Sequence, residues 1–205
     1  MTYFKPVFFI LYVSIFSLLL VQPVESLAQK NEDSVRHLLE ERDNEIKELM
    51  GPKGTDYTQE QRAELQDIIN NIIDYRDMAQ YALQDTYESL SEEERDEFVD
   101  LFSTIIRDQS LTNLDIYRAD VTYEEITVNG DEAEVETMAQ LENVRTPVGY
   151  QMKYTDSGEW VITDMVIDDV STAESYQRQF QNIIRQKGYD SLLETLQKRA
   201  ARYLV

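Results

Sequence analysis

Residues 158–196 read GEWVITDMVIDDVSTAESYQRQFQNIIRQKGYDSLLETL. From Trp160 to Ile167 the run is apolar at odd and even positions alike, interrupted by Thr163 and Asp164. A strand that is apolar on both faces is covered on both. Ser171, with Glu174 three residues on, predicts a capping box. Ala173, Tyr176, Phe180, Ile183 and Ile184 then recur at the spacing of one helical stripe. Gly188 suits the C-terminal cap of that helix, and Asp190 can open the next, which carries Leu192, Leu193 and Leu196. A covered strand thus leads straight into a helix that must fold back onto it. That stacks a helical layer on a sheet and makes the fold α+β.

The stretch before Gly158 supplies the rest of the sheet. Tyr117, Ala119, Val121 and Tyr123 alternate with Arg118, Asp120 and Thr122, and Asn129-Gly130 marks a tight hairpin. Ala133, Val135, Thr137, Ala139 and Leu141 alternate with Glu132, Glu134, Glu136, Met138 and Gln140. Pro147 opens a third strand, in which Val148, Tyr150, Met152 and Tyr154 alternate with Gly149, Gln151 and Lys153; Asp156-Ser157-Gly158 turns into the last. The expectation is an antiparallel four-stranded meander with one wet face and one apolar face, the latter covered by helices. Those helices are legible upstream. One runs from Asp33 to Met50 and stops at Gly51-Pro52-Lys53-Gly54. A second opens at a Thr58–Gln61 capping box and carries Leu65, Ile68, Ile69, Ile72 and Ile73. A third spans Asp74 to Leu83, and a fourth opens at Ser91 with Glu94 and repeats Phe98, Leu101, Phe102, Ile105 and Ile106.

Length and charge bound the remainder. The 205 residues suit one domain behind a targeting segment. Lys5 precedes a charge-free run from Pro6 to Val24, and Ser26-Leu27-Ala28 offers small residues where a signal peptidase cuts. The expectation is a cleaved signal peptide over 1–28 and a single domain over 29–205. Without Cys, thiolate metal sites, thiol chemistry and disulfides are excluded. Nineteen Lys and Arg against 40 Asp and Glu give a net charge of −21, which argues against nucleic acid and against anionic lipid surfaces.

The quoted stretch resembles the C-terminal part of the MlaC, or toluene-tolerance, family. The resemblance rests on Trp160, Asp164, Val170-Ser171, Tyr176, Arg178, Gln179-Phe180, Ile183-Ile184, Lys187-Gly188, Asp190 and Leu192, in order and spacing. Ile73-Asp74-Tyr75 with Met78-Ala79, and Arg95, Phe98 and Phe102, match two further family segments, so the likeness spans about residues 70–200. Where the family shows Leu-Gly and a Trp, this chain has Leu83-Gln84 and Tyr87. The resemblance implies a soluble periplasmic carrier of phospholipid, monomeric and non-enzymatic, with a curved sheet and helices enclosing an apolar pocket. It implies no cofactor beyond the cargo itself. Its partners would be an inner-membrane ABC lipid transport complex and an outer-membrane lipoprotein complex, in the upkeep of outer-membrane lipid asymmetry.

The residues themselves offer no catalytic set. His37 is the single histidine, the carboxylates fall on wet faces, and Gly130, Gly149 and Gly158 form no phosphate loop. Asp164, the one charge inside the last strand, reads as a hydrogen-bond acceptor for backbone or Tyr groups. The alternative is an active acid of a cone-shaped α+β enzyme or small-molecule binding domain, working with a Tyr. The apolar face is the remaining candidate. It brings small residues (Ala133, Thr137, Ala139) beside Val135, Tyr150, Met152, Val161 and Met165, under helix residues Phe98, Phe102, Ile105, Tyr176, Phe180 and Ile183. By pattern alone that is a close-packed core; the family resemblance implies that it lines a lipid cavity.

Overall fold

The structure, a computed structural model, describes residues 30–202. The expected signal peptide lies outside the described residues. Helix α1 (Glu32–Met50) starts at a reciprocal cap between Asn31 and Ser34 and ends at Gly51, whose φ of 57° favours glycine. Helix α2 (Gln59–Asn70) opens at the expected Thr58–Gln61 box. Helices α3 (Tyr75–Leu83) and α4 (Asp85–Ser89) follow, and α5 (Glu92–Ser110) opens at the Ser91–Glu94 box. Helices α6 (Thr172–Lys187) and α7 (Tyr189–Ala200) close the chain, with Gly188 between them at φ 84°.

The sheet has five antiparallel strands in sequence order: β1 (Asp120–Asn129), β2 (Glu132–Leu141), β3 (Val144–Tyr154), β4 (Trp160–Ile167) and β5 (Val170–Ser171). The fifth was not expected. It is a two-residue return pairing Val170 with Ile167 and Ser171 with Val166 before α6 begins. The first strand starts later than the alternation predicted, because Leu114–Arg118 coils as a 3₁₀ helix. Arg118 holds that coil to the α1–α2 loop through the carbonyls of Gly51 and Pro52 and the Tyr57 hydroxyl. Pro147 sits inside β3 rather than opening it. It lies beyond the reach of β4, whose ladder ends at Val148↔Ile167, so its missing N–H breaks no ladder bond there.

Two bulges decide which side chains face inward. One extra residue sits in β1 between Tyr123 and Glu125, and one in β4 opposite the Gln151–Met152 step. An extra residue shifts the two-residue alternation by one. In β4, Trp160 and Ile162 face the helices before the bulge and Met165 after it. Val161, opposite exposed Lys153, faces outward. The edge of β4 is shielded by Ile72–Asp74, which pairs with Ile162 (Asp74 N–H to Ile162 O 2.8 Å, Ile162 N–H to Ile72 O 2.6 Å). This pairing satisfies backbone groups of β4 that would otherwise be an open edge.

Caps at the last two helices depart from expectation. The Asp164 carboxylate takes the Ala173 N–H at 2.8 Å and the Ser171 hydroxyl at 2.5 Å, and Ser171 in turn accepts Glu174 N–H at 2.9 Å. The Glu174 carboxylate pairs with Arg178 (2.9 Å) rather than closing the box on the Ser171 N–H, and Asp164 caps the first turn of α6 from the strand instead. Asp190 lies within the first turn of α7 and makes no side-chain cap.

Candidate functional site

Three separate apolar cores hold the chain. The first is all-helical, from α3, α5, α6 and α7, and contains Phe98, Phe102, Ile105, Tyr176 and Phe180, with Ile183 at its margin. The second joins α1 to the inner sheet face through Val35, Leu39, Ile126, Ala133, Val135, Met152, Trp160 and Ile162. The third joins α1, α2 and the 3₁₀ coil through Ile46, Met50 and Leu65. A domain of this size more often has one contiguous core.

The residues expected to line one cavity are therefore divided. The helix residues pack on one another. Phe98 and Phe102 are wholly buried, and Phe180 stands edge-on to both at 5.7 and 5.5 Å, with Tyr176 edge-on to Phe102 at 4.9 Å. That is an aromatic cluster among the helices, separate from the sheet residues expected beside it. Val135 and Met152 are buried in the sheet core, Val161 faces away, and Thr137 is buried with its hydroxyl on the Val148 carbonyl at 2.7 Å. Tyr150, Met165 and Ala139 remain half-buried on the inner face.

Around these three the margins of the cores come together. Each core ends there in half-buried side chains: Ile73 and Tyr75 from the first, Tyr123, Tyr150 and Met165 from the second, Ile69, Leu111, Leu114 and Tyr117 from the third. Tyr150 is enclosed by protein, and burial pushes its hydroxyl up to about 12, yet part of its surface is free of contact. Tyr150 thus sits in the seam between the cores, with Tyr75, Tyr117 and Tyr123 half-buried around it. Tyr117 is likewise raised to about 12 by burial, with Tyr150 adding to the rise and Ser110 opposing it. Tyr75 and Tyr123 are raised further, again by burial first. Polar groups join in this seam: Tyr75 donates to Asn70 Oδ1 at 2.7 Å, and Asn70 donates to Ser110 Oγ at 3.0 Å. Sequence reading found Tyr150 but missed Asn70, Tyr75, Tyr117 and Tyr123 as a group; a buried Asn amid the isoleucines of α2 was the available signal.

Burial along the inner sheet face falls from one end to the other. On the inner face Ala133, Ile126, Met152 and Trp160 are buried, with Trp160 donating to Ser34 Oγ of α1 at 3.0 Å. Towards the β2–β3 and β4–β5 turns Val121, Ala139, Thr146 and Val148 are half-buried and Ile167 is exposed. Exposed Val144, Val170 and Ile116 lie by those turns and the 3₁₀ coil. Two open depressions, of about 610 and 420 Å³, lie along α6 and are lined chiefly by polar groups such as Gln179 and Ser175, not by Tyr150 or Ala139. Among the described residues no His, Asp and Glu group with metal-site geometry occurs, and no helix is long and apolar enough to cross a membrane. His37 is exposed on α1.

These features define a class: an open antiparallel sheet covered by helices, with a group of enclosed tyrosines against its inner face. Within that class the chain belongs to the MlaC family, whose model, described as MlaC protein, matches residues 40–198. No curated protein matches the sequence significantly. Among solved structures, the phospholipid-binding protein from Ralstonia solanacearum, determined in complex with a phospholipid, is similar in fold. Its TM-score is 0.70 at 17% identity, over 86% of this chain and 100% of that one.

Proposed function

We propose that this protein is a non-enzymatic phospholipid carrier that takes acyl chains into the space where its three cores meet. The observation that carries this reading is Tyr150, enclosed against the inner sheet face yet only half-buried, with its register partner Met165 and Ala139 half-buried on the same face. Membership of the MlaC family and a fold-mate holding a phospholipid support the choice of ligand. The energetics suit carriage: burial is worth about 0.8 kcal/mol per CH₂ in pocket and bilayer alike, so exchange is near neutral while exposure in water is costly. The competing enzyme reading loses its residue, because both Asp164 oxygens are engaged at the start of α6.

The carrier is exported by a signal peptide cleaved after Ala28 and works in the periplasm as a monomer. It moves lipid between an inner-membrane ABC complex and an outer-membrane lipoprotein complex. The test is solvent extraction of the exported, purified protein with mass analysis of the extract, followed by incubation with labelled donor vesicles and unlabelled acceptors. Unaltered diacyl phospholipid in the extract, and its transfer without chemical change, is the expected result. An empty protein, or a converted lipid, contradicts it.

A further inference from the structure

Most polar side chains around the junction of the cores are already paired: Tyr75 on Asn70, Asn70 on Ser110, Thr137 on Val148, while Tyr117 has Ser110 beside it. Tyr150 differs. Among the described residues its hydroxyl has no hydrogen-bond partner, and it is not one of the sealed unpaired atoms, which are Arg42 Nε and Tyr189 Oη. Its hydroxyl is therefore unpartnered and not sealed off by protein. Tyr123 stands nearer the edge of the sheet, with the Arg36 guanidinium over its ring at 5.0 Å. A donor held in an apolar, enclosed setting without an acceptor costs free energy until a ligand supplies one.

The chemistry of that acceptor is constrained. The charge acting on the Tyr150 hydroxyl is the Asp43 carboxylate, itself paired with Lys47 at 2.8 Å. Lys47 is already committed to that carboxylate, so a buried phosphate diester would meet a like charge and no free cation to compensate it. A neutral carbonyl oxygen meets neither penalty. We propose that the Tyr150 hydroxyl donates a hydrogen bond to an ester carbonyl of the bound lipid, so that the site selects ester-linked over ether-linked chains while the phosphate stays outside. This rests on the carrier reading and deepens it. Held near 12, the hydroxyl keeps its proton at any physiological pH and stays a donor.

The experiment is competition on the delipidated exported protein between dioleoyl phosphatidylethanolamine and its diether analogue of matched chains, read by native mass spectrometry. Wild type should prefer the ester lipid about two- to tenfold, the factor of one neutral hydrogen bond. Tyr150→Phe, which removes only the unpartnered hydroxyl, should bind the diether as wild type does and show no preference. Equal uptake of the two lipids by wild type, or a preference that survives in Tyr150→Phe, overturns the proposal while leaving carriage intact. Uptake of neither lipid by wild type overturns the carrier reading and this proposal with it. The wild-type preference needs no variant, so the proposal stays falsifiable if Tyr150→Phe folds poorly.

Discussion

Asp164 has its two carboxylate oxygens divided between the Ser171 hydroxyl and the Ala173 N–H, at the N-terminus of α6. Negative charge there also meets the positive end of the helix dipole. Asp164→Asn keeps one acceptor and loses the charge, so we predict a loss of about 1 kcal/mol in denaturant unfolding, with bound lipid retained. Unchanged stability with lipid lost would return Asp164 to the site. The acceptor role was legible in the sequence, since an Asp within an apolar strand needs donors. A backbone donor was expected and Ala173 N–H is one; the Ser171 hydroxyl was not foreseen, because it depends on β5 turning the chain back beside β4. Ala139 and Tyr150 were likewise legible as inward-facing, whereas Val161 was misplaced because the β4 bulge reverses the alternation beyond it.

At the level of elements, what is encoded locally was readable and what depends on distant pairing was not. The boxes at Thr58 and Ser91 and the turn at Asn129-Gly130 lie within a few residues of their effects, and all three are present. The allotment of stripes to cores is a long-range property. Phe98, Phe102 and Phe180 were expected above the sheet and instead close a core among helices. This difference has a measurable consequence. Phe102→Ala in that core should cost about 3–5 kcal/mol of unfolding free energy, even in delipidated protein. A cavity-lining Phe would cost little in that state, so a small loss would restore the expected arrangement. The turns of the open end carry strain: Glu142, Asp168 and Asp169 adopt φ of 55°, 51° and 60° without being glycine.

For the whole molecule, buried tyrosines link the fold to alkaline pH. Tyr117 and Tyr150 sit near 12 when folded, against about 10 in an unfolded chain, and Tyr75 and Tyr123 lie higher still. A raised folded value means that stability is complete below about pH 10 and is lost as pH climbs through the folded values. Melting temperature should therefore change little up to about pH 9.5 and collapse between about 10 and 12, together with cooperative tyrosinate absorbance. Phenols titrating at about 10 in an intact fold would show that they are not enclosed. The net charge of −21 suits solubility in a salty setting and gives the body of the protein no electrostatic pull towards anionic bilayers. The central claim, however, is that free volume lies against the inner sheet face. Ala139 is half-buried there, opposite Val121 and Thr146. Native mass spectrometry of exported Ala139→Trp, beside thermal unfolding of that variant and of delipidated wild type, tests this most directly. The account predicts wild type carrying one phospholipid, Ala139→Trp carrying none, and matching melting temperatures, because the indole occupies the space of an acyl chain. Severe destabilisation of Ala139→Trp by about 1–3 kcal/mol or more, with no lipid on wild type, would mean a solid core and contradict it.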